Sequence, residues 1–229
     1  MDHDDLAHWS KRAADWARDY HAVLRDRPVR PDIAPGDFRK RIEAPVPEAP
    51  TPIETVFDDF ARLVPAAMTH WQHPRFFAYF PANAAPASML AEQLANAMAS
   101  QAMLWQTAPA ANEMEALVID WLREAVGLPG TFTGTIHDSA TTATFSAVLT
   151  MRERALGYSG LTDGLSGAPR LRLYASAQTH SSVDKAARLS GIGQDNLVKI
   201  PSRAGDPLFS MDPAALDAAI RADVAAGHR

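Results

Sequence analysis

The stretch that decides the fold is residues 171–200, LRLYASAQTHSSVDKAARLSGIGQDNLVKI. It begins with a β-prone run from Leu171 to Ala175. A helical pattern follows from Ser181 to Ser190, with Gly191 as its stop signal, and a second β-prone run covers Leu197 to Ile200. Strand, helix and strand in this order predict two parallel strands joined by a helical crossover.

The alternation extends to both sides of this unit. Thr133 to His137 is a further predicted strand, and Ala143 to Leu156 is a predicted helix that stops at Gly157. Asp212-Pro213 opens a last helix that stops at Gly227. We therefore expect an α/β domain whose parallel sheet is covered by helices. Because crossover helices connect parallel strands, a last helix with no strand after it leads us to expect an incomplete domain.

The amino-terminal region has a different pattern. Seven prolines from Pro28 to Pro52 remove amide donors and predict an extended arm without regular structure. A first helix precedes the arm, because apolar residues recur there at three- and four-residue steps. Its apolar face consists of Leu6, Trp9, Ala13, Trp16, Ala17, Tyr20 and Leu24. We interpret this helix and the arm as a segment that reaches over a second subunit.

Three more helices are predicted before the α/β alternation begins. Thr51-Pro52-Ile53-Glu54 resembles a capping box that opens a helix, and Pro65 kinks or ends it. The alanine-rich stretch from Pro86 to Trp105 and the segment from Met114 to Val126 are also helical. The predicted division is residues 1–82 for the helical segment and arm, used for dimerisation, and residues 83–229 for the α/β domain.

Composition excludes several classes of function. The 229 residues are 47% hydrophobic and carry a formal net charge of −5, which favours a small-molecule ligand over nucleic acid or an anionic membrane. There is no cysteine, so thiolate metal sites and cysteine nucleophiles are excluded. The acidic start and the lack of a long apolar run predict neither a signal peptide nor a membrane span, and we expect a cytoplasmic location.

One candidate site lies between a predicted strand and a predicted helix, at residues 135–144, TIHDSATTAT. Free amides and the helix dipole favour an anion there, and the short side chains let a phosphate group come close. Serine and threonine also cap ordinary helices, so this interpretation stays open on the residues alone.

A second candidate site occupies the equivalent place at residues 175–185, ASAQTHSSVDK. Ser181 and Asp184 resemble a capping box, and His180 is either a structural or a functional histidine. Open α/β folds bind ligands at the carboxyl ends of their strands. We therefore expect both segments to face one crevice.

A third segment, residues 69–81, THWQHPRFFAYFP, is rich in aromatic side chains. They could line a pocket for a flat substrate or belong to the core. His70 and His73 are not expected to bind a metal, because Pro74 interrupts any helix and no carboxylate belongs to the cluster.

These segments together resemble one family. The run from His73 to Pro81 is similar to a hallmark of the group II pyridoxal-phosphate-dependent decarboxylases, in the aromatic L-amino acid branch. Three further blocks resemble the family in the same order: Glu113-Met114-Glu115 with Asp120-Trp121-Leu122, Ser139-Ala140-Thr141, and His180-Ser181-Ser182-Val183. The resemblance extends from the first helix to the last residue.

The resemblance implies a fold, a cofactor and a reaction. The fold is the large domain of the PLP-dependent transferases (fold type I), present in part, and the cofactor is pyridoxal 5′-phosphate. The reaction is decarboxylation of an aromatic L-amino acid to its amine by a dimeric enzyme. The implied residues are Ser139, Ala140 and Thr141 at the cofactor phosphate, the catalytic His180 stacked on the pyridine ring, and Trp71, Tyr79, Phe80, Pro81 and Ala82 around the substrate.

The sequence departs from the family pattern at three positions. Asp138 replaces a glycine, Ala82 replaces a threonine and Ala177 replaces an acidic residue. In the family the Schiff-base lysine, the aspartate at the pyridine nitrogen and the small carboxyl-terminal domain all fall beyond position 229. Lys185 and Lys199 lie outside the family's lysine motif. The resemblance therefore implies a complementary carboxyl-terminal half as a partner.

Two alternatives keep the fold and change the function. A non-catalytic dimerising subunit would retain the pocket as a scaffold, and Asp138 beside the phosphate turn favours this reading. An aldehyde-forming enzyme, or a decarboxylase of a non-aromatic acid, would retain the same cofactor.

Overall fold

The computed structural model describes residues 1–42, 46–80 and 84–228. The chain folds into two compact units, Met1–Ala99 and Ser100–Arg229. The predicted division between residues 82 and 83 stays a prediction, because both positions lie outside the described ranges. The described helices are α1 (His3–Ala22), α2 (Asp37–Ile42), α3 (Ile53–Leu63), α4 (Pro86–Met98), α5 (Pro109–Ala125), α6 (Ala140–Ala155), α7 (Gly160–Asp163), α8 (Ser182–Leu189) and α9 (Pro213–Ala225).

The first helix of the first unit packs on α3 through aromatic side chains. Trp9 lies 5.4 Å from Phe57 and Trp16 lies 5.3 Å from Phe60, measured between ring centroids. The Arg12 guanidinium lies over both the Trp9 and Phe57 rings, at 5.1 and 5.3 Å. This arrangement confirms the predicted amphipathic helix, whose apolar face is directed at another helix of its own unit.

The proline-rich arm is not free of regular structure, so that prediction was wrong for one segment. Helix α2 occupies Asp37–Ile42, between Pro35 and Pro45. These six residues contain no proline, so each can supply a helical amide, and the Asp37 carboxylate accepts the Ala34 N–H at 3.0 Å.

Helix α3 has no side-chain cap, so the predicted capping box at Thr51 was also wrong. Pro52 occupies the cap position with extended backbone, and its fixed φ begins the helix without a hydroxyl. The helix ends at Leu63, and a 3₁₀ turn follows at Pro65–Ala67, as predicted from Pro65. Helix α4 stops at Met98, earlier than the predicted Trp105, because Ala99 adopts a left-handed conformation with φ 49°.

The second unit is built on the predicted strand–helix–strand motif. Strand β1 (Leu173–Ser176) pairs in parallel with β2 (Leu197–Ile200), with Leu173 opposite Leu197, and α8 forms the crossover. The buried cluster of Ala175, Ala187 and Leu197 joins both strands to α8. The central prediction is confirmed, and it places the amino terminus of α8 at the carboxyl edge of the sheet.

The strand predicted at Thr133–His137 does not form among the described residues. The Ile136 N–H is 2.7 Å from a Glu115 carboxylate oxygen, and no neighbouring described strand pairs with this segment. An isolated β-prone run has no ladder partner and therefore stays extended without becoming a strand.

Helix α9 follows β2 and begins as predicted. Asp212 caps it by accepting the amides of Ala214 and Ala215. Near its end Asp223 accepts the Tyr174 hydroxyl at 2.7 Å and lies 3.1 Å from Arg172 Nε. Burial, with the hydrogen bond to Asp223, raises the pKa of Tyr174 to about 12. These contacts fix α9 to β1.

We expect Ile200→Ala to lower the free energy of unfolding of the chain by about 2–5 kcal/mol, because the mutation leaves a cavity in the buried end of β2. Ile200 is 2% exposed. The matched control is Ile220→Ala on α9, where the side chain is 39% exposed and the loss should be under about 1 kcal/mol. Urea unfolding measures both values, and equal losses would contradict this account of the core.

Candidate functional site

Helices α6 and α8 lie side by side and run in the same direction. Thr144 Oγ1 lies 3.3 Å from Ser182 Oγ near the start of both helices. Near their ends the Arg152 guanidinium donates to the Ser190 carbonyl at 2.6 Å. Both pairs join residues 38 positions apart, so the helices stay in register along their contact. Their amino termini, which carry the two predicted cofactor segments, are therefore at the same end.

The turn before α6 is stabilised by its own side chains. Ser139 caps the helix in an extended conformation, with its hydroxyl accepting the Thr142 N–H at 3.3 Å. In return the Ser139 N–H donates to the Thr142 hydroxyl at 3.3 Å, which completes a capping box. The Thr142 hydroxyl in turn donates to Asp138 at 2.5 Å. Asp138 thus holds a negative charge at the entrance of the turn.

Two backbone amides of this turn are left for a ligand. Ser139 satisfies the Thr142 N–H, and the Ala143 N–H donates to the Ser139 carbonyl. Within residues 84–228 the amides of Ala140 and Thr141 have no hydrogen-bond acceptor. Unpaired amides at the positive end of a helix dipole can bind an anion such as a phosphate.

The segment that leads into the turn is held by Glu115 of α5. One carboxylate oxygen accepts the Thr135 hydroxyl at 2.8 Å and the Ile136 N–H at 2.7 Å. The hydrogen bond from Ile136, with a smaller contribution from Thr135, lowers the pKa of Glu115. Glu115 is therefore a charged anchor for the approach to the turn.

His180 lies at the start of α8 with an exposed imidazole. Its Nδ1 accepts the Ser182 N–H at 3.2 Å, so in the neutral ring the proton is on Nε2. The predicted capping box of Ser181 and Asp184 was wrong. Ser181 has helical backbone angles and makes no cap, and Asp184 instead accepts from Lys199 at 2.9 Å. The imidazole itself occupies the capping role.

The aromatic residues predicted to surround the substrate, called here the aromatic wall, are Trp71, Tyr79 and Phe80, and they belong to the first unit. Trp71 stacks on Tyr79 at 5.6 Å and lies 4.9 Å from Phe76. Tyr79 adopts a left-handed φ of 56°, and Tyr79 and Phe80 are 85% and 93% exposed. Left-handed backbone at a bulky residue is costly, and exposed aromatic rings are available for contact with a ligand or a protein segment. The other two predicted substrate residues, Pro81 and Ala82, lie outside the described residues.

His70 and His73 are structural within the first unit. Both are buried, and His70 Nδ1 lies 2.7 Å from the Tyr20 hydroxyl. His73 accepts the Arg75 N–H at Nδ1, so its Nε2 donates to the Arg25 carbonyl at 3.1 Å. Burial, and then the Arg27 charge, lowers the pKa of His70. Both histidines are engaged in hydrogen bonds between segments of the unit.

Two other kinds of feature are absent from the described ranges. Residues 1–42, 46–80 and 84–228 contain no group of three or more histidine and carboxylate side chains that could hold a metal ion. In the same ranges no helix has the length and apolar content needed to cross a membrane.

Sequence reasoning did not assign a role to three side chains that shape the site. Glu115 belongs to one of the blocks that resemble the family. Its partner Thr135 is 20 residues away, and nothing in the local sequence indicates that the two residues meet. Thr144 and Arg152 face α8 across the helix pair, and their spacing of eight residues, about two helical turns, is the one signal that could have placed them on one face.

Comparisons with known proteins agree with the geometry. A family model described as the pyridoxal-dependent decarboxylase conserved domain matches residues 35–228. Tryptophan decarboxylase 1 of Oryza sativa is 35% identical over 98% of this chain and 45% of its own length. Phenylacetaldehyde synthase of Arabidopsis thaliana is 30% identical over 99% of this chain and 46% of its own length.

A solved structure extends the match to three dimensions. The crystal structure of Oryza sativa TDC with PLP and tryptamine superposes with a TM-score of 0.90 and 34% identity. The superposition includes 100% of this chain and 50% of the Oryza sativa chain. The predicted fold class is thereby confirmed, and the chain spans about half the length of the relatives it matches.

We expect Glu115→Gln to destabilise the chain in a pH-dependent way. Because the folded pKa of Glu115 is lowered from an ordinary value of 4.5, its carboxylate adds stability that is fully present above pH 4.5. That stability is lost as the pH falls through the folded pKa. Unfolding of both proteins between pH 7 and pH 3 should show a difference that shrinks below pH 4.5. Glu92→Gln, at an exposed position of α4, is the control, and a pH-independent difference for Glu115→Gln would contradict the assignment.

Proposed function

Because the chain belongs to the pyridoxal-dependent decarboxylase family, we propose that it supplies the cofactor-holding half of an enzyme that decarboxylates an aromatic L-amino acid to its amine. One observation carries the proposal. Helices α6 and α8 are fixed side by side. The unpaired amides of Ala140 and Thr141 lie at the start of α6, and the exposed imidazole of His180, oriented by the Ser182 N–H, lies at the start of α8. Hydrogen-bond donors for an anion, together with a flat aromatic group, fit a cofactor that has both a phosphate and an aromatic ring.

Pyridoxal 5′-phosphate suits the groups that this turn offers. The amides of Ala140 and Thr141 would bind the phosphate, and the Thr141 hydroxyl would be a further donor. The Ser139 hydroxyl already caps α6, so we assign Ser139 to shaping the turn, with its side chain engaged in the cap. The imidazole of His180 would lie against the pyridine ring.

The bound cofactor would supply an electron sink for the electrons left when the carboxylate departs. The chain's own contribution is placement. The Ser182 N–H holds Nδ1 of His180 as an acceptor, so in the neutral ring Nε2 carries the proton. A neutral imidazole with this tautomer can stack on a ring and donate one hydrogen bond from Nε2. It therefore both orients the ring and holds a proton at a defined atom.

The aromatic wall would select the substrate. Trp71 and Tyr79 form a stacked pair, and Phe80 follows with its ring exposed. Flat apolar surfaces favour an aromatic side chain through area burial and offset stacking, and they exclude water from the reacting groups. We propose that these residues, with Pro81 and Ala82, flank the substrate.

The remaining groups would come from a carboxyl-terminal half, which supplies the lysine and aspartate that the family uses. The chain spans about half of each relative, which supports this division of labour. We also propose that the complete enzyme is a cytoplasmic dimer in which the amino-terminal helix and arm contact the second subunit.

A second candidate function is aldehyde formation from the same substrates, an oxidative decarboxylation that consumes dioxygen and water and releases carbon dioxide, ammonia and hydrogen peroxide. It is favoured by the 30% identity to a protein named phenylacetaldehyde synthase. The site residues described above serve either reaction, because both would begin with the same cofactor and carboxylate.

A product assay tests the proposal and separates the two candidates. The chain is combined with a carboxyl-terminal half and given pyridoxal 5′-phosphate and each of tyrosine, phenylalanine, tryptophan and dihydroxyphenylalanine. We expect an amine from at least one aromatic acid and no product from glutamate. Aldehyde with ammonia and hydrogen peroxide would favour the second candidate. Cofactor binding without any product would favour a non-catalytic subunit and contradict the proposal.

We expect Asp138→Asn to tighten binding of pyridoxal 5′-phosphate severalfold, because it removes a negative charge beside the phosphate turn while keeping an acceptor for Thr142. The tightening should shrink as salt is raised, since the exposed charge is screened. The control is Asp163→Asn on α7. Helix α7 follows the carboxyl end of α6, and that end of α6 is about 24 Å from the turn. Fluorescence titration measures both, and unchanged or weaker binding by Asp138→Asn would contradict the assigned position of the phosphate.

A further inference from the structure

A chain of contacts links the phosphate turn to the imidazole. The Thr144 hydroxyl donates to the Ala140 carbonyl at 2.7 Å, and its oxygen lies 3.3 Å from Ser182 Oγ. Ser182 is 5% exposed, and its N–H is the group that holds His180 Nδ1 at 3.2 Å. Ser182 therefore contacts the phosphate helix through its side chain and the imidazole through its backbone.

The hydroxyl groups of Thr144 and Ser182 contribute a directional contact in addition to filling space. A buried hydroxyl is costly unless it is hydrogen-bonded, and an alanine or valine of similar volume would fill the same space without that requirement. Two helices can slide along an apolar contact, whereas a directional contact between fixed atoms resists sliding. The contact between Thr144 and Ser182 is at the end of the helix pair where the ligand-facing groups lie, while Arg152 fixes the opposite end.

We infer that Thr144 and Ser182 are positioning residues that set the His180 imidazole at a fixed distance from the Ala140–Thr141 amides. The inference rests on the proposed function, because a cofactor gripped at its phosphate and stacked at its ring needs both contacts in one geometry. Neither hydroxyl touches the cofactor in this account. They act through His180.

Helix α6 offers a matched control for this inference. Thr150 has the same side chain and the same internal hydrogen bond, donating to the Ser146 carbonyl at 2.9 Å. It is exposed, and among the described residues its hydroxyl makes no hydrogen bond with α8. Thr150→Val thus removes the same kind of hydrogen bond within α6 as Thr144→Val does, and it leaves the contact between Thr144 and Ser182 intact.

The first test measures affinity for pyridoxal 5′-phosphate in the chain combined with a carboxyl-terminal half. Thr144→Val and Ser182→Ala should each weaken binding about threefold to tenfold, the usual range for one hydrogen bond. Thr144→Ser should restore nearly normal binding, and Thr150→Val should have no effect. If the pair acts through His180, adding Thr144→Val to His180→Ala should change affinity less than twofold further. Multiplied losses in the double variant would overturn the inference.

The second test needs no cofactor and separates this inference from the proposed function. In the same preparation without cofactor, Thr144→Val should speed hydrogen exchange of the Ser182 amide and move the nitrogen resonance of His180 Nδ1. Thr150→Val should leave both signals unchanged. If those signals respond while the wild-type protein takes up no pyridoxal 5′-phosphate, the proposed function fails and the positioning role stands. Identical signals in both variants would overturn the positioning role even if the cofactor binds.

Discussion

The parallel contact between α6 and α8 is the constraint on which the candidate site depends. Thr144 and Ser182 join the helices at their amino ends, and Arg152 joins α6 to the Ser190 carbonyl at the far end. Because the two contacts have the same offset, both helix dipoles direct their positive ends to one place. The crossover from β1 to β2 puts that place at the carboxyl edge of the sheet, where open α/β folds bind ligands.

The turn at residues 138–142 resolves a competition between helix capping and ligand binding. The cap engages the hydroxyls of Ser139 and Thr142 in hydrogen bonds, and it pairs the amide of Thr142, the third residue of α6. The first two amides of α6 then remain for an anion, so a well-capped helix can still hold a phosphate. Asp138 supports the cap through Thr142, and its charge would oppose a phosphate bound at the turn. The same residue would therefore contribute to the shape of the turn and limit its affinity for a phosphate.

Much of the fold could be predicted because its signals are local. The strand–helix–strand unit at residues 171–200 follows from periodicity, and the position of His180 after β1 follows from that unit. Two errors came from contacts that local propensity does not encode, one between residues 21 positions apart and one between residues two positions apart. Thr133–His137 has strand propensity, yet its amide at Ile136 binds Glu115, and the cap of α8 is an imidazole instead of Ser181. Helix α2 was missed because a high average proline density hid a proline-free gap of nine residues, of which α2 occupies six.

The candidate site was predictable in its members and not in its geometry. The family resemblance predicted the turn and the histidine as ligand groups, and that assignment stays a prediction. It could not show that Ser139 is engaged in a cap or that Ser182 connects two helices, since these are properties of three-dimensional packing. The aromatic residues illustrate the same limit, because neither the stacking of Trp71 on Tyr79 nor the left-handed backbone at Tyr79 has a signal in the sequence.

The central claim is that α6 and α8 jointly hold one phosphorylated aromatic cofactor. It is tested most directly by NMR of the chain combined with a carboxyl-terminal half, comparing pyridoxal 5′-phosphate with pyridoxal, which lacks the phosphate. We expect the phosphorylated form to shift the amides of Ala140 and Thr141 and the Nε2 resonance of His180 together, and pyridoxal to leave the two amides nearly unchanged. Phosphate-dependent shifts at other amides, with Ala140 and Thr141 unaffected, would contradict it.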